Sequence, residues 1–149
     1  MDEKIHDETA ELLGFVRQNA QMGVVTLERL AERLNAADRS MTDIITKQLN
    51  EYRAVADAAA LRARELGDEP KDVCPLTRTA AVTMLDLQSI ADRSPSHIAE
   101  MVIVGSTRGY ISALRHIRRC PSASSDALGL AYRLLCTEYA NIEGLKRYL

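Results

Sequence analysis

Two glutamates beside or within apolar helical stripes are the residues whose chemistry first needs an explanation. Glu138 occupies one position of a seven-residue apolar repeat near the end of the chain, and Glu51 stands beside a similar stripe in the first half. A carboxylate among apolar side chains is costly unless it has a partner. Each glutamate precedes a tyrosine, Tyr52 or Tyr139, so these four residues together could form a site with few ligands for a metal ion or a small anion.

A simpler interpretation gives Glu138 a structural role. Counting back across the turn at positions 122 to 124 places Arg108 opposite Glu138 on the preceding helix. A buried ion pair between these two side chains would favour one way of packing the helices without adding much net stability. Both interpretations of Glu138 remain open from the sequence.

A histidine and a glutamate at the start of the predicted fourth helix form a second candidate pair. His97 and Glu100 are three residues apart, so their side chains share one helical face and could supply two metal ligands. The same residues also fit a local role, because a carboxylate near a helix N-terminus complements the helix dipole. The sequence indicates no third ligand beside them.

The composition excludes several classes of function. A chain of 149 residues has the length of one domain, residues 1–149, and its net charge of −2 gives no basic surface for nucleic acid. No apolar run is long enough to span a membrane. The three cysteines, Cys74, Cys120 and Cys136, show no disulfide-like spacing and predict a cytoplasmic protein.

The spacing of apolar residues predicts an all-α fold with four long helices and one short helix. The long helices are expected over residues 8–35, 40–66, 95–120 and 125–149, because apolar side chains recur there at spacings of three and four. The segment 68–93 starts with two prolines and then predicts a short helix, which could carry the chain from one end of a bundle to the other. We therefore expect two antiparallel helical hairpins joined by a crossover.

Glycines make one face of the helix over 95–120 nearly flat. Gly105 and Gly109 lie on this face, and Gly23 holds a stripe position in the first helix. Because glycine has no side chain, we expect close helix packing at all three positions. We also expect the helix over 95–120 to be the one against which the others pack.

The chain resembles the ferritin-like superfamily, and in particular small bacterial proteins with a similar SPSHIAEM segment and a similar NIEGLKRYL ending. The resemblance implies a ferritin-like four-helix bundle, with the short helix in its crossover and an iron or manganese site in its core. That site takes a glutamate from each of two helices and a Glu-x-x-His pair from each of the other two. In this chain Ala54 stands three residues after Glu51, and Asn141 stands three residues after Glu138, so the ligand set is incomplete.

The missing histidines favour a non-enzymatic protein without a cofactor, acting as a homo-oligomer (a dimer) or as a module for a protein partner. This expectation also rests on apolar residues that lie outside the main stripes and widen the apolar faces. These residues are Val25, Ile44, Val55, Met101 and Tyr110. The alternative is a metal-binding or oxidoreductase protein that holds iron or manganese through Glu51, Glu138 and Glu100.

Overall fold

The computed structural model is all-α, as the apolar spacing predicts. It describes residues 2–34 and 38–149, with Ile90 described by its backbone alone. These residues form the helices α1 (Glu3–Ala31), α2 (Arg39–Glu65), α3 (Pro75–Ala91), α4 (Pro95–Arg119) and α5 (Ser125–Leu145), followed by a 3₁₀ turn (Lys146–Tyr148). None of these helices combines the length and the apolar character that a membrane span requires.

Short polar side chains begin three of the helices. The side chain of Asp2 accepts a hydrogen bond from a backbone N–H in the first turn of α1, and those of Ser94 and Ser124 do the same for α4 and α5. Such caps satisfy backbone donors that have no partner inside the helix. Past the end of α2, Gly67 adopts a φ of 84°, a conformation that favours glycine and ends the helix.

The first helix differs from its predicted range. α1 begins at Glu3 rather than near residue 8, because Asp2 supplies the cap, and it ends at Ala31. The predicted end at Asn35 and half of the predicted turn at 36–39 lie outside the described residues. α2 begins at Arg39, one residue before its predicted start.

The long helices run up, down, down and up along the chain. Arg17 of α1 donates to the carbonyl of Ala56 at 3.0 Å, and Glu28 pairs with Arg53, so α1 and α2 are antiparallel. The short turn after α4 makes α4 and α5 a second antiparallel pair. α2 also contacts α5, and α1 also contacts α4. The segment between α2 and α4, which contains α3, joins the two hairpins.

α1, and not α4, is the helix that the others share. α1 contacts α2, α3, α4 and α5, whereas the main helical neighbours of α4 are α1 and α5. The expectation that the other helices pack on α4 is therefore wrong. Large α1 side chains fill the space between the helices, among them Leu12, Leu13, Val16, Leu27 and Leu30. The glycine-containing face of α4 cannot fill that space in the same way.

The residues expected to leave an exposed apolar surface are mostly inside the protein. Val25 is 6% exposed and Val55 is fully buried, and Ile44 and Met101 pack against the core from partly buried positions. Tyr110 is also partly buried. Because these side chains are buried or partly buried within the single chain, they do not form a fully exposed apolar surface.

A carboxylate of α3 binds two arginines of α1. Asp86 accepts two hydrogen bonds of 2.6 Å from Nε and Nη2 of Arg29, and a third of 3.0 Å from Arg33. The bond from Arg29, with support from Arg33, lowers the pKa of Asp86 from 3.8 to about 2. This attachment is therefore fully present above pH 3.8 and is lost as the pH falls towards 2.

Asp86→Asn should loosen α3 without unfolding the remainder of the protein. The substitution removes the charge that both arginines bind, and α3 has few other buried polar contacts. We expect faster amide hydrogen exchange along α3, with the exchange of α5 unchanged. Asp57→Asn, at an exposed aspartate of α2, is the matched control. Unchanged α3 exchange in the Asp86 variant would show that this carboxylate does not hold the helix.

Candidate functional site

Glu138 lies in the core, where α5 faces the other long helices. Its side chain is 3% exposed. Tyr52 of α2 donates a hydrogen bond from Oη to Glu138 Oε2 at 2.6 Å, and Asn19 of α1 donates from Nδ2 to Oε1 at 3.0 Å. On α4, a Cβ added to Gly109 would lie 2.5 Å from Oε1. All four long helices therefore shape the surroundings of one carboxylate.

The carboxylate belongs to a buried network of hydrogen bonds. Asn141, about one turn after Glu138, donates from Nδ2 to Tyr52 Oη at 2.8 Å and to Ser106 Oγ at 3.0 Å. Tyr52, Ser106 and Asn141 are each at most 4% exposed. A connected polar network of this kind holds its members in one geometry, because breaking a bond would leave a buried polar group without a partner.

Burial changes the acidity of both Glu138 and Tyr52. Loss of solvent raises the pKa of the Glu138 carboxyl from 4.5 to about 7, although the hydrogen bonds from Tyr52 and Asn19 oppose this change. Burial, followed by the negative charge of Glu138, raises the pKa of Tyr52 well above 10. Near neutral pH, Glu138 therefore exists in both protonation states, while Tyr52 remains a protonated donor.

A cavity of about 190 Å³ between α1 and α4 reaches this network. Tyr52, Glu138 and Asn141 form part of its lining, and Gly23, Gly105 and Gly109 also line it.

The three glycines differ in how closely other residues pack against them. A Cβ at Gly23 would lie 2.7 Å from the Tyr52 ring, and one at Gly109 would meet Glu138, so both positions make close contacts. Gly105, in contrast, is exposed, and a Cβ there would meet nothing within 4 Å. The prediction of close helix packing at Gly105 is therefore wrong. Successive glycines four residues apart are rotated by about 40° around the helix, which turns Gly105 towards the cavity mouth.

The predicted ion pair between Arg108 and Glu138 is not formed. Arg108 lines the same cavity but is exposed, and the hydrogen bonds to the Glu138 oxygens come from Tyr52 and Asn19. The residue of α4 that faces Glu138 is Gly109. Its neighbour Arg108 lies about 100° away around the helix, towards solvent.

Glu51 and Glu138 do not share a site. Glu51 lies nearer the surface and accepts hydrogen bonds from Arg133 Nε at 2.6 Å and Nη2 at 3.2 Å. The bond from Arg133 lowers the pKa of Glu51, opposite to the change at Glu138. Tyr139 is 55% exposed and does not join the buried network. Within residues 2–34 and 38–149, no group of three or more His, Cys, Asp or Glu side chains is placed to hold a metal ion.

His97 and Glu100 lie beside a separate groove between α3 and α4. His97 Nδ1 is 3.6 Å from Glu100 Oε2, and its Nε2 is 3.1 Å from the carbonyl oxygen of Gln88. Both ring nitrogens therefore have neighbours within this chain. The pair connects the end of α3 to the start of α4, which supports the local interpretation.

The sequence did not single out three members of the buried network. Asn19, Ser106 and Asn141 are polar residues whose roles depend on partners from other helices. One signal was present, because Asn141 follows Glu138 by three residues and therefore shares its helical face. The ferritin-like ligand pattern draws attention to this position for the histidine it lacks, whereas here the asparagine is a hydrogen-bond donor.

Comparisons of this chain with models of known protein families, with curated proteins and with solved structures each returned no match. The contacts and cavities of this chain therefore carry the functional interpretation.

Proposed function

We propose that this protein is a metal-free, cytoplasmic, ferritin-like helical bundle that acts as a homodimer rather than as an enzyme. The order of the long helices, up, down, down and up with one crossover, supports the ferritin-like assignment. The lack of a group of three or more His, Cys, Asp or Glu side chains placed around Glu138, within the residues that the structure describes, supports a site without metal. Free thiols at Cys74, Cys120 and Cys136 fit a reducing compartment.

The observation that carries the proposed dimer is an exposed apolar stripe on α3. Leu76, Met84 and Leu87 are 77%, 56% and 66% exposed. With the exposed Ala80 and Ala91, they recur at spacings of four, four, three and four, which places them along one side of the helix. A helix side that faces only water is usually polar, so this stripe is typical of a contact surface.

The charges of α3 point away from this stripe. Its two charged residues are Arg78 and Asp86. Asp86 binds Arg29 and Arg33 of α1, and Arg78 lines a pocket formed with α1 and α2. The outer side of α3 is therefore uncharged and needs no oppositely charged partner.

A second copy of this chain is the partner that fits the stripe. An uncharged apolar stripe is complementary to itself, so two α3 helices can pack across a two-fold axis. From Leu76 to Ala91 the stripe spans about 22 Å. A groove between α3 and α4, of about 480 Å³ and lined in part by Met84, Met101 and Val104, adds apolar surface beside it.

Leu87→Glu should convert the dimer into a monomer. The charge would lie in the interface twice, so we expect the dissociation constant to rise by roughly a hundredfold or more. Light scattering over a concentration series measures the change, and a thermal melt verifies that the variant is folded. Leu61→Glu, at a 55% exposed leucine of α2, is the matched control and should remain a dimer. A wild-type protein that stays monomeric, or equal disruption by both variants, would contradict the proposal.

A further inference from the structure

Opposite charges line the Glu138 cavity without meeting each other. Glu138 is buried at the inner side and Arg108 is exposed at the outer side. The cavity that both residues line has a volume of about 190 Å³, enough for a small organic molecule. Tyr52 is the other titratable residue in the described lining, and its hydroxyl donates a hydrogen bond to Glu138.

Among the described residues, no cationic side chain forms an ion pair with the Glu138 carboxylate. Its two described side-chain donors, the Asn19 amide and the Tyr52 hydroxyl, are both neutral. A carboxylate so deeply buried gains free energy from any cation that reaches it, because the low local dielectric strengthens the attraction. The inner end of the cavity therefore favours a positively charged group.

The remaining lining suits a short chain between two charged groups. Met22, Leu27 and Val102 provide apolar wall, and Thr26 and Ser112 provide hydroxyl groups. Gly105 leaves the outer side open, since nothing lies within 4 Å of where its Cβ would be. Pockets for small ligands commonly combine an apolar wall with a few polar groups that fix the orientation of the ligand.

We propose that this cavity binds a small zwitterion whose ammonium group meets Glu138 and whose acidic group meets Arg108. Such a ligand completes the ion pairing that these two residues do not make with each other. The cavity shares Thr26, Gly105 and Arg108 with the groove beside the α3 stripe, but it contains none of the stripe residues themselves. The Leu87→Glu test of the dimer and the binding test can therefore fail separately.

Binding of a homologous series tests the proposal directly. Glycine, β-alanine and γ-aminobutyrate carry the two charges at increasing separation, and n-butylamine and butyrate each carry one of them. We expect saturable binding of at least one zwitterion, measured by calorimetry and by NMR shifts of the Asn19 and Asn141 side-chain amides. Butylamine should bind more weakly and butyrate should not bind. Failure of all three zwitterions, or butyrate binding as well as they do, would overturn the proposal.

Single substitutions assign the two ends of the ligand. Glu138→Gln should lower the affinity for the zwitterion by more than about tenfold, because it removes the buried charge. Arg108→Gln should lower this affinity by about two- to fivefold, since the arginine is exposed and water screens its attraction for the ligand. Arg115→Gln removes an exposed arginine of the same helix that does not line the cavity, and should change nothing. An equal loss in the Arg108 and Arg115 variants would mean that overall charge, and not the cavity, attracts the ligand.

A third variant closes the cavity without touching either charge. Gly105→Leu places a side chain in open space at the mouth, so the fold should be retained while the zwitterion is excluded. Binding that survives Gly105→Leu unchanged would place the ligand outside this cavity.

The affinity of the wild type should rise with pH through about 7, as the Glu138 carboxylate replaces the protonated form, and should level off well above that pH.

Discussion

Glu138→Gln should remove a fall in stability that the wild-type protein shows between pH 4.5 and about pH 7. In the folded protein the pKa of Glu138 is about 7, while in the unfolded chain it returns to its usual 4.5. Between these values the folded state binds more protons than the unfolded state, so the free energy of unfolding decreases as the pH rises. Well above pH 7 both states are ionised and this contribution is constant.

The size of the change follows from the shift in pKa. The difference between 4.5 and about 7 corresponds to roughly 3 kcal/mol of unfolding free energy lost across this range. Glutamine keeps the shape of the side chain and cannot ionise. As the pH rises across this range, the unfolding free energy of the variant should therefore increase by this amount relative to that of the wild type. Denaturant unfolding at a series of pH values measures the difference between the two proteins.

A surface control separates this effect from general changes in charge. Glu143→Gln removes an exposed glutamate of the same helix and should reproduce the pH profile of the wild type. If Glu138→Gln also follows the wild-type profile, then the Glu138 carboxyl is not buried as the structure describes.

Gly109→Ala should destabilise the protein by about 1–3 kcal/mol, although alanine is normally favourable inside a helix. The added Cβ would lie 2.5 Å from Glu138 Oε1 and 2.7 Å from Cδ. The carboxylate cannot move freely, because Tyr52 and Asn19 hold it from the other helices. Thermal or denaturant unfolding measures the cost.

Two comparisons make the Gly109 result specific. Gly105→Ala, on the same helix, meets no atom within 4 Å and should instead stabilise the protein by about 0.5–1 kcal/mol. In a Glu138→Ala background the clash disappears, so Gly109→Ala should there cost little or become favourable. Equal costs of Gly109→Ala in both backgrounds would mean that the glycine does not contact Glu138.

Local patterns were sufficient to predict the helices. The repeats that predict α1, α2, α4 and α5 arise because each helix buries one side, and this leaves a periodic trace in the sequence. Long-range contacts leave no such trace. The hydroxyl groups of Ser40 and Tyr148 hydrogen-bond between the first turn of α2 and the end of the chain, which no local pattern indicates.

In the candidate site, too, local patterns predict burial but do not predict the long-range partners. The position of Glu138 in an apolar repeat indicated burial, and the structure buries it. Its partner could not be found by counting across one turn, because that procedure compares α4 and α5 alone. The actual donors, Tyr52 and Asn19, come from α2 and α1, and their approach depends on how all four long helices pack.

The protonation of Glu138 can be measured directly by NMR, from the side-chain carboxyl ¹³C shifts of glutamate-labelled protein titrated with pH. Glu138→Gln assigns the signal by removing it. The structure predicts a titration centred near pH 7, displaced from the usual 4.5 because the carboxylate is buried among neutral donors. A midpoint near 4.5 would mean that water solvates Glu138, and would contradict both the buried network and the ligand site built on it.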